Sequence, residues 1–229
     1  MAIVVAFLSQ KGGVGKSTLA RSAGVLAARM GLGVLLADLD PQQRTLMRWL
    51  KTRAELKLET PLRVEAFDDL GAALAQGGKL DLVLLDLPGQ ISNVATAVAR
   101  NADLIVQPTS PSVDDLHPAV LVFHALERIG VAREKLVFAL CRVLGDKEAE
   151  ATRDYLADLG YGVLSGAINE RLGYRDALNL GRTLVECRQP NMSNAAQIVL
   201  LDLLERALSR RLTGAAPAIA GQHPPRVKT

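Results

Sequence analysis

The sequence predicts an α/β fold built on a doubly wound, mostly parallel sheet. Short apolar runs rich in β-branched residues alternate with longer amphipathic stretches along nearly the whole chain. Several of those runs are apolar throughout, as expected of parallel strands covered on both faces. Glycine-rich and acidic clusters follow the runs directly, where open α/β sheets bind ligands.

Ile3–Leu8 is the first predicted strand. It lacks the basic start and cleavage site of a signal peptide and runs straight into a glycine-rich loop. That loop, Gln10-Lys11-Gly12-Gly13-Val14-Gly15-Lys16-Ser17-Thr18, opens the helical pattern Ser17–Met30. Glycines there let backbone N–H groups turn inward around phosphate oxygens, aided by the helix N-terminus. Lys16 is then expected to neutralise the β- and γ-phosphates, Ser17 to bind Mg²⁺, and Thr18 to reach the α-phosphate.

The second strand, Val34–Leu39, leads into Asp38-Leu39-Asp40-Pro41. Alternation places Asp38 and Asp40 on one side at its carboxyl end, to serve chemistry or to cap Pro41 and the next helix. Leu82–Leu87 carries a single carboxylate, Asp86, at the end of an apolar run, the Walker B arrangement suited to Mg²⁺. Leu104–Gln107 is a fourth strand, followed by Gln107-Pro108-Thr109-Ser110-Pro111-Ser112-Val113-Asp114 and a helix over Val113–Ile129. Ser112 there fits an N-cap. Strands at Leu136–Leu140 and Tyr161–Leu164 and helices at Lys147–Leu159 and Ala195–Leu212 complete the pattern. Arg142, just past a strand, is a candidate for a base pocket or an ordinary surface arginine. One domain over residues 1–212 and a disordered tail over 213–229 are expected.

Composition narrows the function classes. Hydrophobic residues make up 49%, which excludes a disordered chain, and no apolar run reaches the roughly 18–20 residues of a membrane span. Cys141 and Cys187 are too few for a disulfide scaffold and lack C-x-x-C spacing, so a reducing cytoplasm is expected. Eight aromatic residues are too few for base-stacking platforms. The net charge of +3 is unevenly placed, because residues 1–160 hold 18 basic and 19 acidic side chains whereas 161–229 hold 9 and 5.

Lys11-Gly12-Gly13-Val14-Gly15-Lys16-Ser17 is a deviant Walker A motif, and through it the chain resembles the ParA/MinD group of P-loop ATPases. The resemblance extends over residues 2–210 and includes the weaker stretch Ile168–Glu186. It implies ATP and Mg²⁺ as cofactors and a homodimer that sandwiches two nucleotides. Lys11 would cross to the partner's phosphate, Asp40 would position the attacking water, and Asp38 would support the metal beside Ser17 and Asp86. Pro108 and Asp114 fall where small ParA proteins carry a loop near nucleotide and dimer interface, so both join Gly12, Gly13, Val14 and Gly15 as nucleotide-binding candidates.

With the loop within ten residues of Met1, no helix-turn-helix domain is expected before it, which favours the small ParA type. The resemblance then implies nonspecific duplex DNA binding by the ATP-bound dimer on the nucleoid, slow intrinsic turnover, and release by a small ParB- or ParG-like partner. Basic side chains in the positive last third, Arg171, Arg175, Arg182, Arg210 and Arg211, are the candidate DNA contacts. A MinD-like membrane-surface ATPase, through the amphipathic last helix, and a VirC-like conjugation accessory ATPase are the alternatives.

Overall fold

The computed structural model describes residues 1–89 and 93–212. The expected tail over 213–229 lies outside them. The strands are β1 (Ile3–Phe7), β2 (Val34–Asp38), β3 (Arg63–Ala66), β4 (Leu82–Asp86), β5 (Leu104–Thr109), β6 (Leu136–Val143), β7 (Gly162–Val163) and β8 (Ile168–Asn169). They pair in the order β3-β2-β4-β1-β5-β6-β7, and β8 joins the far end of β6. Every pairing is parallel.

The helices are α1 (Lys16–Arg29), α2 (Thr45–Glu55), α3 (Leu70–Ala75), α4 (Asn93–Asn101), α5 (Val113–Arg128), α6 (Asp146–Asp158), α7 (Leu172–Asn179) and α8 (Pro190–Leu212). Strand alternation divides them into two layers. Ile3, Val5 and Phe7 of β1 face one core with residues of α1, α2, α7 and α8. Val4, Ala6 and Leu8 face a second core with residues of α3, α4, α5 and α6. Both faces are covered, which is why the central strands read as unbroken apolar runs.

The β1-β4-β2 register brings Phe7, Asp86 and Asp38 into one row at the carboxyl end of the sheet. On their faces, Asp38 and Asp86 continue Leu36 and Leu84, so both carboxylates point toward the α1 and α2 layer. β5 runs two residues past the expected end and includes Pro108. The β1 ladder to β5 ends at Val106, so Pro108 lies where β5 has one neighbour and its missing N–H leaves no gap between two strands.

Candidate functional site

The loop from Ser9 to Lys16 links β1 to α1 across this row. Gly13 (φ 76°) and Gly15 (φ 118°) adopt the left-handed backbone that favours glycine, and Gly15 is the N-cap of α1. A Cβ on Gly15 would stand 3.5 Å from Cys141 Sγ and 3.9 Å from the Pro108 side chain, so the loop rests directly on the ends of β5 and β6. The N–H groups of Lys16, Ser17 and Thr18 at the start of α1 have no acceptor within the helix, which makes this an anion seat.

Lys16 is 9% exposed. Burial lowers its pKa, and the nearby Asp86 and Asp40 carboxylates act against that shift. Asp86, 2% exposed, is pushed up to about 7 by burial, with Ser17 working against the rise and Asp38 adding to it. Its Oδ1 is buried and has no hydrogen-bond partner. An orphaned carboxylate oxygen beside a serine hydroxyl and a lysine fits a Mg²⁺ ion that is otherwise held by phosphates and water. Among the described residues no group of three or more His, Cys, Asp and Glu forms a ready-made metal cage, and Mg²⁺ bound this way requires none.

Asp38 has a different local task. Its Oδ1 accepts from the Asp40 N–H (3.1 Å), while Oδ2 accepts from the N–H groups of Leu46 (3.0 Å) and Met47 (3.4 Å). The fully buried Asp38 therefore caps α2 from eight residues upstream, one of the two roles its sequence position left open. Asp40 Oδ1 accepts from Gln42 (3.0 Å) and Gln43 (2.9 Å), which turns the chain after the strand and leaves the half-buried carboxylate among the charges around Lys16.

Beyond Gly15 opens a cavity of about 280 Å³, lined by Thr18, Cys141, Asn169, Tyr174 and Leu178 among others. It continues from the phosphate seat and has the mixed apolar and polar lining suited to a nucleoside. Arg142 stands at its rim with φ 58°. Its Nε donates to Glu170 Oε2 (2.9 Å), and Arg175 Nη2 donates to Glu170 Oε1 (3.0 Å). On the other side of the loop Lys11, 54% exposed at its side chain, pairs with Asp115 of α5 and lines a second cavity with Asp114.

Residues 5–201 match the CobQ/CobB/MinD/ParA nucleotide-binding domain. The chain belongs to this family. Among relatives of this ParA/MinD-type domain, the "Maintenance of carboxysome distribution protein A" of Gloeobacter kilaueensis is 36% identical over 139 residues, 57% of this chain and 62% of the relative. That match spans less than two thirds of the relative's length. "Protein ParA" of Rhizobium radiobacter is 26% identical over 227 residues, 93% of this chain and 98% of the relative. The structure of MinD with Mg-ADP from Pyrococcus horikoshii superposes with a TM-score of 0.73 at 19% identity, covering 92% of this chain and 99% of that one. The doubly wound sheet is thus the P-loop NTPase fold of the MinD and ParA proteins.

The loop residues, Asp38, Asp40 and Asp86 converge at one end of the sheet of this ParA/MinD-family domain. Pro108 lies buried beneath Gly15, and Asp114 is exposed beside Lys11. The candidate DNA arginines do not converge. Arg171 and Arg175 line the cavity beyond Gly15, and Arg182 Nη1 donates to the Glu186 carbonyl at 3.3 Å. Arg210 donates to the Glu134 carbonyl, just ahead of β6 at the opposite end of the sheet. The Arg211 side chain lies outside the described structure.

Long-range polar partners lay beyond sequence reasoning. Arg53, 2% exposed, donates to Glu186 Oε2 (2.8 Å) and to the Gly181 carbonyl (3.0 Å), which also accepts from Trp49 Nε1 (2.8 Å). Arg21, brought down to about 10 mainly by burial, packs 5.9 Å from the Trp49 ring and feels the charge of Asp86. Trp49 is the one tryptophan of the chain, and nothing local in the sequence ties it to Gly181.

Proposed function

We propose that this chain is a ParA-type ATPase that positions an intracellular cargo, pairing on ATP and separating after hydrolysis. The carrying observation is the opposite exposure of two lysines on one loop. Lys16 is buried among the carboxylates of its own site, whereas the Lys11 side chain stands 54% exposed at the rim. A cation that meets phosphate only across an interface couples nucleotide binding to association and stabilises charge in phosphoryl transfer.

Ser17 and Asp86, with Asp38 behind them, would hold Mg²⁺, which would supply charge neutralisation at the phosphates. Lys16 and the loop N–H groups bind the phosphates, with Gly12, Gly13, Val14, Gly15 and Thr18 forming the cradle. Lys11 enters from the partner subunit. Asp40 orients water, and its hydrogen bonds to Gln42 and Gln43 tie its position to the following turn. The cavity by Thr18 and Tyr174 would take the nucleoside, while Pro108, beneath Gly15, supports the loop and Asp114 would face the interface.

The paired form binds duplex DNA without sequence preference through arginines of the last third, and a small ParB- or ParG-like protein triggers hydrolysis. On this reading the protein works in the cytoplasm, on the nucleoid while ATP is bound. Carriage of a cargo is supported by the likeness to the carboxysome distribution protein and to ParA. No helix among the described residues is long and apolar enough to cross a membrane.

The test is Asp40→Ala. The variant should retain ATP-linked pairing and DNA binding and lose turnover by about 100-fold or more, measured as phosphate release. Turnover equal to wild type removes Asp40 from the mechanism.

A further inference from the structure

Arg53 belongs neither to the nucleotide loop nor to its carboxylates, yet it is 2% exposed and every N–H of its guanidinium is engaged. Nε donates to Thr60 Oγ1 (3.1 Å), and Nη1 donates to the Gly181 carbonyl (3.0 Å) and Glu186 Oε2 (2.8 Å). Nη2 donates to the Glu59 carbonyl and to Glu186 Oε1 (3.3 Å). This rigid fork of donors joins α2 and the chain after it to two further segments: the turn that follows α7, and the helical turn Leu184–Glu186. The turn after α7 lies close against α2. Gly181 (φ 66°) has left-handed backbone, and a Cβ there would stand 3.2 Å from the Arg53 amide nitrogen. Trp49 Nε1 donates to the same Gly181 carbonyl (2.8 Å). Leu178 precedes this junction in the chain and Leu184 follows it, and both line the cavity of about 280 Å³ beyond Gly15. Leu184 has a second attachment: its N–H donates to Ser22 Oγ (3.2 Å), which donates to the Thr18 carbonyl (2.6 Å). Thus α1 ties this wall to the phosphate loop, and Arg53 ties it to α2.

We propose that Arg53 is a positioning residue for the nucleoside: it holds the Leu178 and Leu184 wall of the cavity, so affinity for base and ribose depends on a side chain that does not line it. The inference rests on the reading of this cavity as the nucleoside seat. The phosphate half of the site is built on the loop between β1 and α1 and on the end of β4, and Arg53 bonds to neither. The two halves of a bound nucleotide should therefore respond differently when Arg53 is replaced. A lysine keeps the positive charge beside Glu186 but carries its donors on one nitrogen. It cannot reach the Gly181 carbonyl, the Glu59 carbonyl and both Glu186 oxygens together. The buried Gly181 carbonyl and the Glu186 carboxylate then lose partners, and the wall is no longer fixed against the phosphate loop.

The experiment uses the full chain with Arg53→Lys and Trp49→Phe, the second removing a single N–H from the Gly181 carbonyl. Isothermal titration calorimetry, run below the Tm of each variant, measures binding of Mg·ADP and of Mg·pyrophosphate. The two ligands share their phosphates and differ by the nucleoside. Expected is ADP binding about tenfold weaker in Arg53→Lys and about threefold weaker in Trp49→Phe, with pyrophosphate binding unchanged in both. A general loosening of the fold would weaken both ligands together, so equal losses overturn the proposal. Unchanged ADP affinity in Arg53→Lys overturns it as well. If Arg53→Lys does not fold, Trp49→Phe decides: a loss confined to ADP supports the proposal, and its absence overturns it. The parent reading fails separately, through a wild-type chain that binds Mg·ADP no more tightly than Mg·pyrophosphate, because that comparison involves no variant.

Discussion

Lys16 and Lys11 lie on one loop, yet one is buried and the other is exposed. Lys16 is enclosed with Asp86, whose pKa near 7 records that burial outweighs the opposing pull of Ser17 and Lys16. A second buried pair fixes the far side of the fold. Burial alone would raise the Glu186 carboxyl, but Arg53 and hydrogen bonds from Thr183 hold it below its ordinary value. A carboxylate depressed on folding contributes stability above its unfolded pKa, roughly 4.3, and loses it as pH falls through the folded value. Glu186→Gln should therefore lower Tm by about 5 °C or more at pH 7, with the difference from wild type shrinking below about pH 4. A difference that stays constant across this range would show that the charge of Glu186 contributes nothing to the fold. Such residues were not legible in the sequence, because Arg53 and Glu186 stand 133 positions apart and nothing local pairs them. Lys16 and Asp86 were legible, because a glycine loop and an apolar run ending in one carboxylate are local patterns.

At the scale of elements, α2 links the Asp40 turn to the C-terminal layer. Its N-cap residue, Arg44, is left-handed (φ 46°) and offers no side-chain cap, so the sequence has no start signal there. The cap comes from Asp38, and the helix is pinned further along by Trp49 and Arg53 on the Gly181 carbonyl. Asp38→Ala should cost about 1–2 kcal/mol of stability and lower Tm by several degrees in the nucleotide-free protein, as denaturation would read. An unchanged Tm would mean that Asp38 acts through metal alone. The same logic explains the overlooked strands. β3 is a short edge strand with Arg63 exposed and Glu65 half-buried, so it lacks an apolar run, and β8 is two residues long. The long buried strands and α5 showed their period plainly, and the structure places them where the pattern did.

At the scale of the molecule, the carboxyl end of the sheet gathers the nucleotide site, while the candidate DNA arginines divide between that end and the amino end near Glu134. The charge surplus of the last third was legible, but its division was not, since α8 carries Arg206 and Arg210 along a 23-residue helix away from Arg171 and Arg175. If the paired form binds duplex DNA through phosphates, affinity should fall at least about tenfold between roughly 50 and 200 mM salt, with little dependence on sequence. Binding insensitive to salt would remove the arginines from that role.

The coupling of ATP to pairing through Lys11 is tested most directly by molar mass in solution. With Mg²⁺ and a non-hydrolysable ATP analogue, light scattering should show the 24.5 kDa wild-type chain doubling in mass, with no change in ADP. Lys11→Ala should bind the analogue and remain at the mass of one chain. Doubling of Lys11→Ala to the same extent as wild type would contradict the account.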